Sequence, residues 1–156
     1  MSIIDEVEAL RRVPYFATMD PVKLKLLAFA SDRFQLPAGG VICHQGEPGD
    51  AAYILLDGDA DVVVTTGDGR RLTVARVPKN TFIGEMAVLR NAPRNATVVA
   101  ASPVTALKVG KDAFYQLLRD VPQLAFEVMR ELAERVEDTT AKLRDARAKL
   151  DAAGIA

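Results

Sequence analysis

Between Arg33 and Gly110 the chain is cut into short β-rich runs by turn-forming residues, and this segmentation limits the available folds more than any other feature. The runs are Phe34–Leu36, Val41–His44, Ala52–Leu56, Asp61–Thr65, Leu72–Val77, Thr97–Ala100 and Val104–Val109. Pro37-Ala38-Gly39-Gly40, Asp57-Gly58, Gly67-Asp68-Gly69 and Ser102-Pro103 separate them. Strands this short, at regular intervals, predict a barrel or jelly-roll.

On both sides of this region the apolar period becomes helical. Ile4, Val7 and Leu10–Val13 form one helical segment, and Asp20-Pro21 supplies an N-cap and first-turn proline before Val22, Leu24, Leu26-Leu27 and Phe29. Past Asp112, Phe114, Leu117 and Leu118 mark a hinge helix over 112–120, and Asp120-Val121-Pro122-Gln123 opens a long helix over 121–151. The expected fold is therefore α+β: a β-roll (a double-stranded β-helix, jelly-roll-like) over 33–110, flanked by N-terminal helices over 3–29 and a long C-terminal helix. Residues 1–135 are expected to form the main domain, and 152–156 a tail.

Leu132, Val136, Thr139, Leu143, Ala146 and Leu150 follow the four-three alternation of a coiled-coil seam. Glu131–Arg135, Asp138–Lys142 and Asp145–Lys149 place opposite charges one helical turn apart in the favourable order. Such a seam suits pairing with a second copy, giving a homodimer, or packing against the chain's own barrel.

With 156 residues, 49% of them hydrophobic and 26% charged, the chain has the makeup of one soluble domain with an appended element. Its net charge of −1 exerts no general pull on nucleic acid or anionic membrane, so any affinity for phosphate must be local. No apolar run approaches membrane-spanning length, and the acidic, amphipathic start is unlike a secretory signal, so the expected location is the cytoplasm without membrane insertion. Cys43 is the single cysteine and His44 the single histidine, which argues against a disulfide and against a metal site. As neighbours on a strand they point to opposite faces and cannot act together, and no Gly-x-Ser-x-Gly elbow is present. Asp57, Asp59 and Asp61 surround a tight turn and read as a solvated loop. The expectation is a binding protein, not an enzyme, with no cofactor.

The candidate site lies in Phe82–Val98. Gly84 permits close backbone approach, and Glu85-Met86-Ala87-Val88-Leu89 has the composition of a helical turn whose first N–H groups attract an anion. Arg94 adds a fixed charge and a planar fork of donors that matches two phosphate oxygens. Glu85 would repel a phosphate directly, so its fitting partner is a hydroxyl such as that of a ribose.

Gly84-Glu85-x-Ala87 followed by Pro93-Arg94-x-Ala96-Thr97-Val98 resembles the phosphate-binding cassette of cyclic nucleotide-binding domains. That family includes catabolite-activator-type regulators, cyclic-nucleotide-dependent kinases and gated channels. A second block, Ile42-x-x-x-Gly46-Glu47-x-Gly49-Asp50-x-x-Tyr53-x-Leu55-x-x-Gly58, is similar to the strand-turn-strand signature upstream of that cassette. With their flanks the two blocks cover roughly residues 14–135.

The resemblance implies that Arg94 holds the exocyclic phosphate oxygens and Glu85 accepts from the ribose 2′-hydroxyl. It also implies that the Ala87 amide, with Gly84 nearby, completes the cradle, and that Ala96 and Thr97 line the wall. Met86 sits within the same cassette. Asn95 departs from the Ala, Thr or Ser usual after the arginine, which leaves cAMP against cGMP open. By position on the long helix, Thr139 and Thr140 match residues that reach the base in catabolite-activator-type members. In kinase or channel members, by contrast, the equivalent helix folds over the base as a lid, so both lid and dimer seam stay open for 121–151. The helix-turn-helix of those regulators is not expected after Leu150. The implied function is a cAMP receptor that moves its C-terminal helix and signals to a downstream protein. Met1 and the polar end favour a stand-alone receptor over the sensory piece of a channel or kinase; a non-binding structural dimer module is the third reading.

Overall fold

A computed structural model describes residues 2–154; Met1 and, in the expected tail, Ile155 and Ala156 lie outside the described residues. The chain divides into two compact units, one up to Leu117 and one from Leu118 onward.

The first unit begins with α1 (Ile3–Arg11), whose start is fixed by a capping box. The Asp5 amide donates to the Ser2 hydroxyl at 3.2 Å, and the Ser2 amide donates back to the Asp5 carboxylate at 3.0 Å. Glu6 is buried on this helix and meets Arg33 at 3.3 Å, so its charge is compensated rather than stranded. A 3-10 turn (Pro14–Phe16) leads to α2 (Pro21–Ala30), where Asp20 caps Val22 at 2.8 Å ahead of Pro21, as the sequence predicts.

Eight antiparallel strands follow: β1 (Asp32–Leu36), β2 (Val41–Cys43), β3 (Ala51–Asp57), β4 (Ala60–Thr65), β5 (Arg71–Val77), β6 (Thr81–Ile83), β7 (Thr97–Ala100) and β8 (Val104–Gly110). They form two four-stranded sheets in the orders β1-β8-β3-β6 and β2-β7-β4-β5. This is the jelly-roll-like roll expected from the spacing of the turns. Ala51, Tyr53 and Leu55 from one sheet and Cys43, Ala60, Val98 and Ala100 from the other meet in one apolar core. Six of the seven residues of β3 are buried, which explains its continuous hydrophobic run.

Between β6 and β7 lies the six-residue α3 (Glu85–Arg90), and β8 runs into α4 (Lys111–Asp120). Phe82 on β6 joins Phe16 (centroids 5.9 Å apart) to Phe114 of α4 (5.5 Å), so one aromatic cluster ties the N-terminal turn, the roll and the start of the hinge helix.

The second unit consists of the end of α4 and α5 (Pro122–Ala152), a helix of 31 residues. Asp120, expected in the cap of this helix, is instead the last residue of α4; Val121 is the N-cap and brings no side-chain bond. Val121 leaves the helical region (φ −128°, ψ 79°) just before Pro122, because a residue ahead of proline is pushed out of the α conformation. Of the expected charge pairs, Glu131–Arg135 closes at 3.0 Å.

Candidate functional site

The two sequence blocks singled out above are joined by backbone hydrogen bonds. The turn between β2 and β3 lies against the loop after α3: Arg94 N–H donates to Glu47 C=O and Gly46 N–H to Arg94 C=O, both at 2.8 Å. Gly49 N–H donates to Ala92 C=O at 3.2 Å, and Pro48 bridges to Pro93. Side-chain volume would defeat this contact. A Cβ on Gly49 would stand 2.5 Å from the Ala87 Cβ and 2.6 Å from its carbonyl carbon, well inside van der Waals distance. Gly49 is therefore the residue that lets α3 settle on the turn, and its place in Gly46-Glu47-x-Gly49-Asp50 was the sequence signal for it.

Arg94 enters the roll from this loop and is only 5% exposed. One arm of its fork is anchored, because Nη2 donates to Ala51 C=O at 2.5 Å and lies 3.9 Å from the Asp50 carboxylate. The other arm faces the cassette, where a Cβ on Gly84 would come within 2.8 Å of Nη1. Gly84 adopts the left-handed conformation (φ 82°) as the N-cap of α3 and supplies no side chain there. Below the guanidinium, the Tyr53 ring sits with its centroid 5.3 Å from Cζ. Asp50 itself is largely exposed, so solvent screens its charge and the buried cation is only partly compensated. The arrangement holds a positive charge in place while leaving donor capacity directed at the start of α3.

Glu85 is buried at the first position of α3, one residue from Gly84. Ala87 is half-buried against Gly49, and Met86 is exposed. Beyond the arginine, Asn95 is exposed while Ala96 and Thr97 are half-buried; the Thr97 hydroxyl accepts from the Gln45 amide at 2.9 Å. The structure thus brings Gly84, Glu85, Met86, Ala87, Arg94, Asn95, Ala96 and Thr97 into one corner of the first unit. Thr139 and Thr140 lie in the second unit, exposed on α5.

The wall of this corner is apolar enough to change the chemistry of its neighbours. Burial pushes the Cys43 thiol and the Tyr53 phenol above their ordinary pKa values, and in both the Arg94 charge acts in the opposite direction. Cys43 is buried at the end of β2, and His44, expected on the same strand, lies one residue past it and is exposed. Asp59 and Asp61 both bind Arg76, at 3.3 and 2.9 Å, and Asp59 also accepts from the Ser102 hydroxyl at 2.5 Å. These acids brace a turn.

The cassette leads directly into α4. Tyr115 donates its hydroxyl to Val88 C=O at 3.0 Å, Lys111 Nζ donates to Asn91 Oδ1 at 2.7 Å, and Lys111 N–H donates to Asp50 C=O at 2.9 Å. Sequence reasoning did not find Lys111, Tyr115 or the Tyr53–Arg94 contact, since each joins segments at least twenty residues apart.

A jelly-roll carrying a buried arginine and a buried acid at the start of a short helix has the framework of a regulatory binding domain. The model of the cyclic nucleotide-binding domain family matches residues 33–121, more than half of the chain, and the chain belongs to that family. It is 38% identical to a cAMP-dependent protein kinase regulatory subunit of Colletotrichum orbiculare over 112 residues, which are 72% of this chain and 28% of that protein. The chain therefore spans less than a third of that relative's length. Among solved structures it is similar to the Thermus thermophilus catabolite activator protein (TM-score 0.76, 27% identity, 84% of this chain and 62% of that one). It is also similar to the regulatory domain of Toxoplasma gondii protein kinase A crystallised with cAMP (TM-score 0.72, 25% identity, 83% of this chain and 50% of that one).

Proposed function

We propose that this chain is a receptor module for a cyclic purine mononucleotide, cAMP first among them, and that it passes occupancy of the cassette to a partner through movement of its C-terminal helix. The observation that carries the reading is the buried, partly compensated Arg94, with one arm anchored on Ala51 and the other turned toward Gly84. A cyclic phosphodiester has one negative charge and two exocyclic oxygens, which suits a fork of this kind in a low-dielectric corner. In this reading Arg94 takes the phosphate, Gly84 and the Met86 and Ala87 amides complete its cradle, and Glu85 accepts from the ribose 2′-hydroxyl. Asn95, Ala96 and Thr97 form the outer wall, with Thr139 and Thr140 offering hydroxyls to the base. No chemistry is performed on the ligand.

Transmission follows from the connections of the cassette. A shift of α3 pulls on Val88 and Asn91, whose hydrogen bonds run to Tyr115 and Lys111 of α4. Ligand moves the helix only to the extent that it binds one arrangement more tightly than another. Support for pairing with a second copy comes from α5 itself, where Met129, Val136, Leu143 and Leu150 recur every seven residues and are all exposed.

Titration calorimetry of the chain with cAMP, cGMP and a cyclic dinucleotide tests the proposal. Saturable binding of one cyclic mononucleotide per chain is expected, with cAMP preferred. Absence of binding by all three would reject the receptor and leave the structural dimer module.

A further inference from the structure

We infer that Tyr53 is a positioning residue for the phosphate clamp: its ring holds the Arg94 guanidinium by a cation–π contact that leaves the in-plane N–H donors available to the nucleotide. The inference rests on the receptor reading above and adds a residue to it.

A buried guanidinium needs compensation, and the usual device is a carboxylate. A carboxylate close to Arg94 would satisfy its fork and compete with an incoming phosphate through the same N–H groups. The Asp50 carboxylate lies 3.9 Å from the Arg94 fork, with its side chain 73% exposed. An aromatic face solves the problem differently, since its negative quadrupole meets the flat side of the cation and takes up none of the in-plane donors. Tyr53 is placed for this role, with its centroid 5.3 Å from the Arg94 Cζ.

The ring is itself held. Phe34 of β1 meets it edge-on, with centroids 6.0 Å apart and planes at 86°. On the backbone, Tyr53 pairs with Lys108 on one side and with Ile83 on the other, immediately before Gly84. A Cβ on Gly84 would lie 2.8 Å from Arg94 Nη1 and 3.5 Å from Tyr53 Cδ2, so ring, guanidinium and cassette backbone converge on one point. Phe34, Tyr53 and Arg94 thus form a stack that reaches from the edge of the roll to the start of α3, and a shorter aliphatic residue at 53 would leave the fork without a floor.

The test varies the ring's electrostatics at nearly constant shape. The full chain is prepared with Tyr53, with Tyr53→Phe, and with trifluorophenylalanine incorporated at position 53, and each is titrated with cAMP. Tyr53→Phe is expected to bind within about twofold of the natural chain, and the fluorinated ring about 3- to 30-fold more weakly, because fluorine drains the negative face without changing the packing much. A fluorinated protein that binds as tightly as the Phe variant overturns the role of Tyr53 while the receptor reading stands. A natural chain that binds neither cAMP nor cGMP overturns both.

Discussion

Two arginines on the roll carry the same charge and are treated in opposite ways. Arg76, on the exposed β5, gives both arms of its fork and its Nε to carboxylates: Asp61 at 2.9 and 3.3 Å and Asp59 at 3.3 Å. Those hydrogen bonds, Asp61 first, hold its pKa above the ordinary arginine value. Arg94 is buried, and among the described residues its fork meets the Ala51 carbonyl, the distant, solvated Asp50 carboxylate and the face of Tyr53. An exposed arginine with two acids braces a turn and has little left to offer, whereas a buried one with an incomplete set of partners stores affinity for an anion. On the proposed reading, Arg76 is a structural charge and Arg94 a binding one.

The contrast is broken most directly at Arg94. Arg94→Ala is expected to cost about 2–5 kcal/mol of cyclic nucleotide affinity, the usual loss when one member of a buried charge pair is removed, with native far-UV circular dichroism. Unchanged affinity would show that the stored charge is not used. Gly49→Val comes next: the added side chain must push Ala87 and α3 off the turn, costing about 1–3 kcal/mol of stability in thermal melts and weakening nucleotide binding with it. Glu85→Gln is expected to weaken cAMP more than its 2′-deoxy analogue, by roughly tenfold in the ratio, and equal losses would remove the ribose from its role. At the small end, Arg76→Ala should leave affinity within about twofold, because surface ion pairs contribute little beyond their own turn.

The fold was legible where local chemistry decides it. Asp20-Pro21 reads as a helix start and is one, and Asp57-Gly58 and Gly67-Asp68-Gly69 mark turns at which strands do end. The strand β6 was not legible, because Thr81-Phe82-Ile83 is too short to show a period and becomes a strand only by pairing with Tyr53, Ile54 and Leu55 of β3. The order of strands in the two sheets was hidden for the same reason. Within the site, the cassette residues stood out because glycine, acid and arginine occur at fixed spacing along one segment. What the spacing did not convey was that Gly49 lies under Ala87 and Tyr53 under Arg94, contacts between positions 38 and 41 residues apart in sequence.

In the proposed complex the Arg94 fork and the backbone at the start of α3 jointly hold the phosphate of a cyclic nucleotide. Following the Arg94 Nε–H and the Gly84, Met86 and Ala87 amide resonances by nitrogen–proton NMR during a cAMP titration tests it most directly. All four are expected to move together and saturate at one nucleotide per chain, while the Arg76 Nε–H stays where it was. Saturation of the protein with those four resonances unmoved would contradict it.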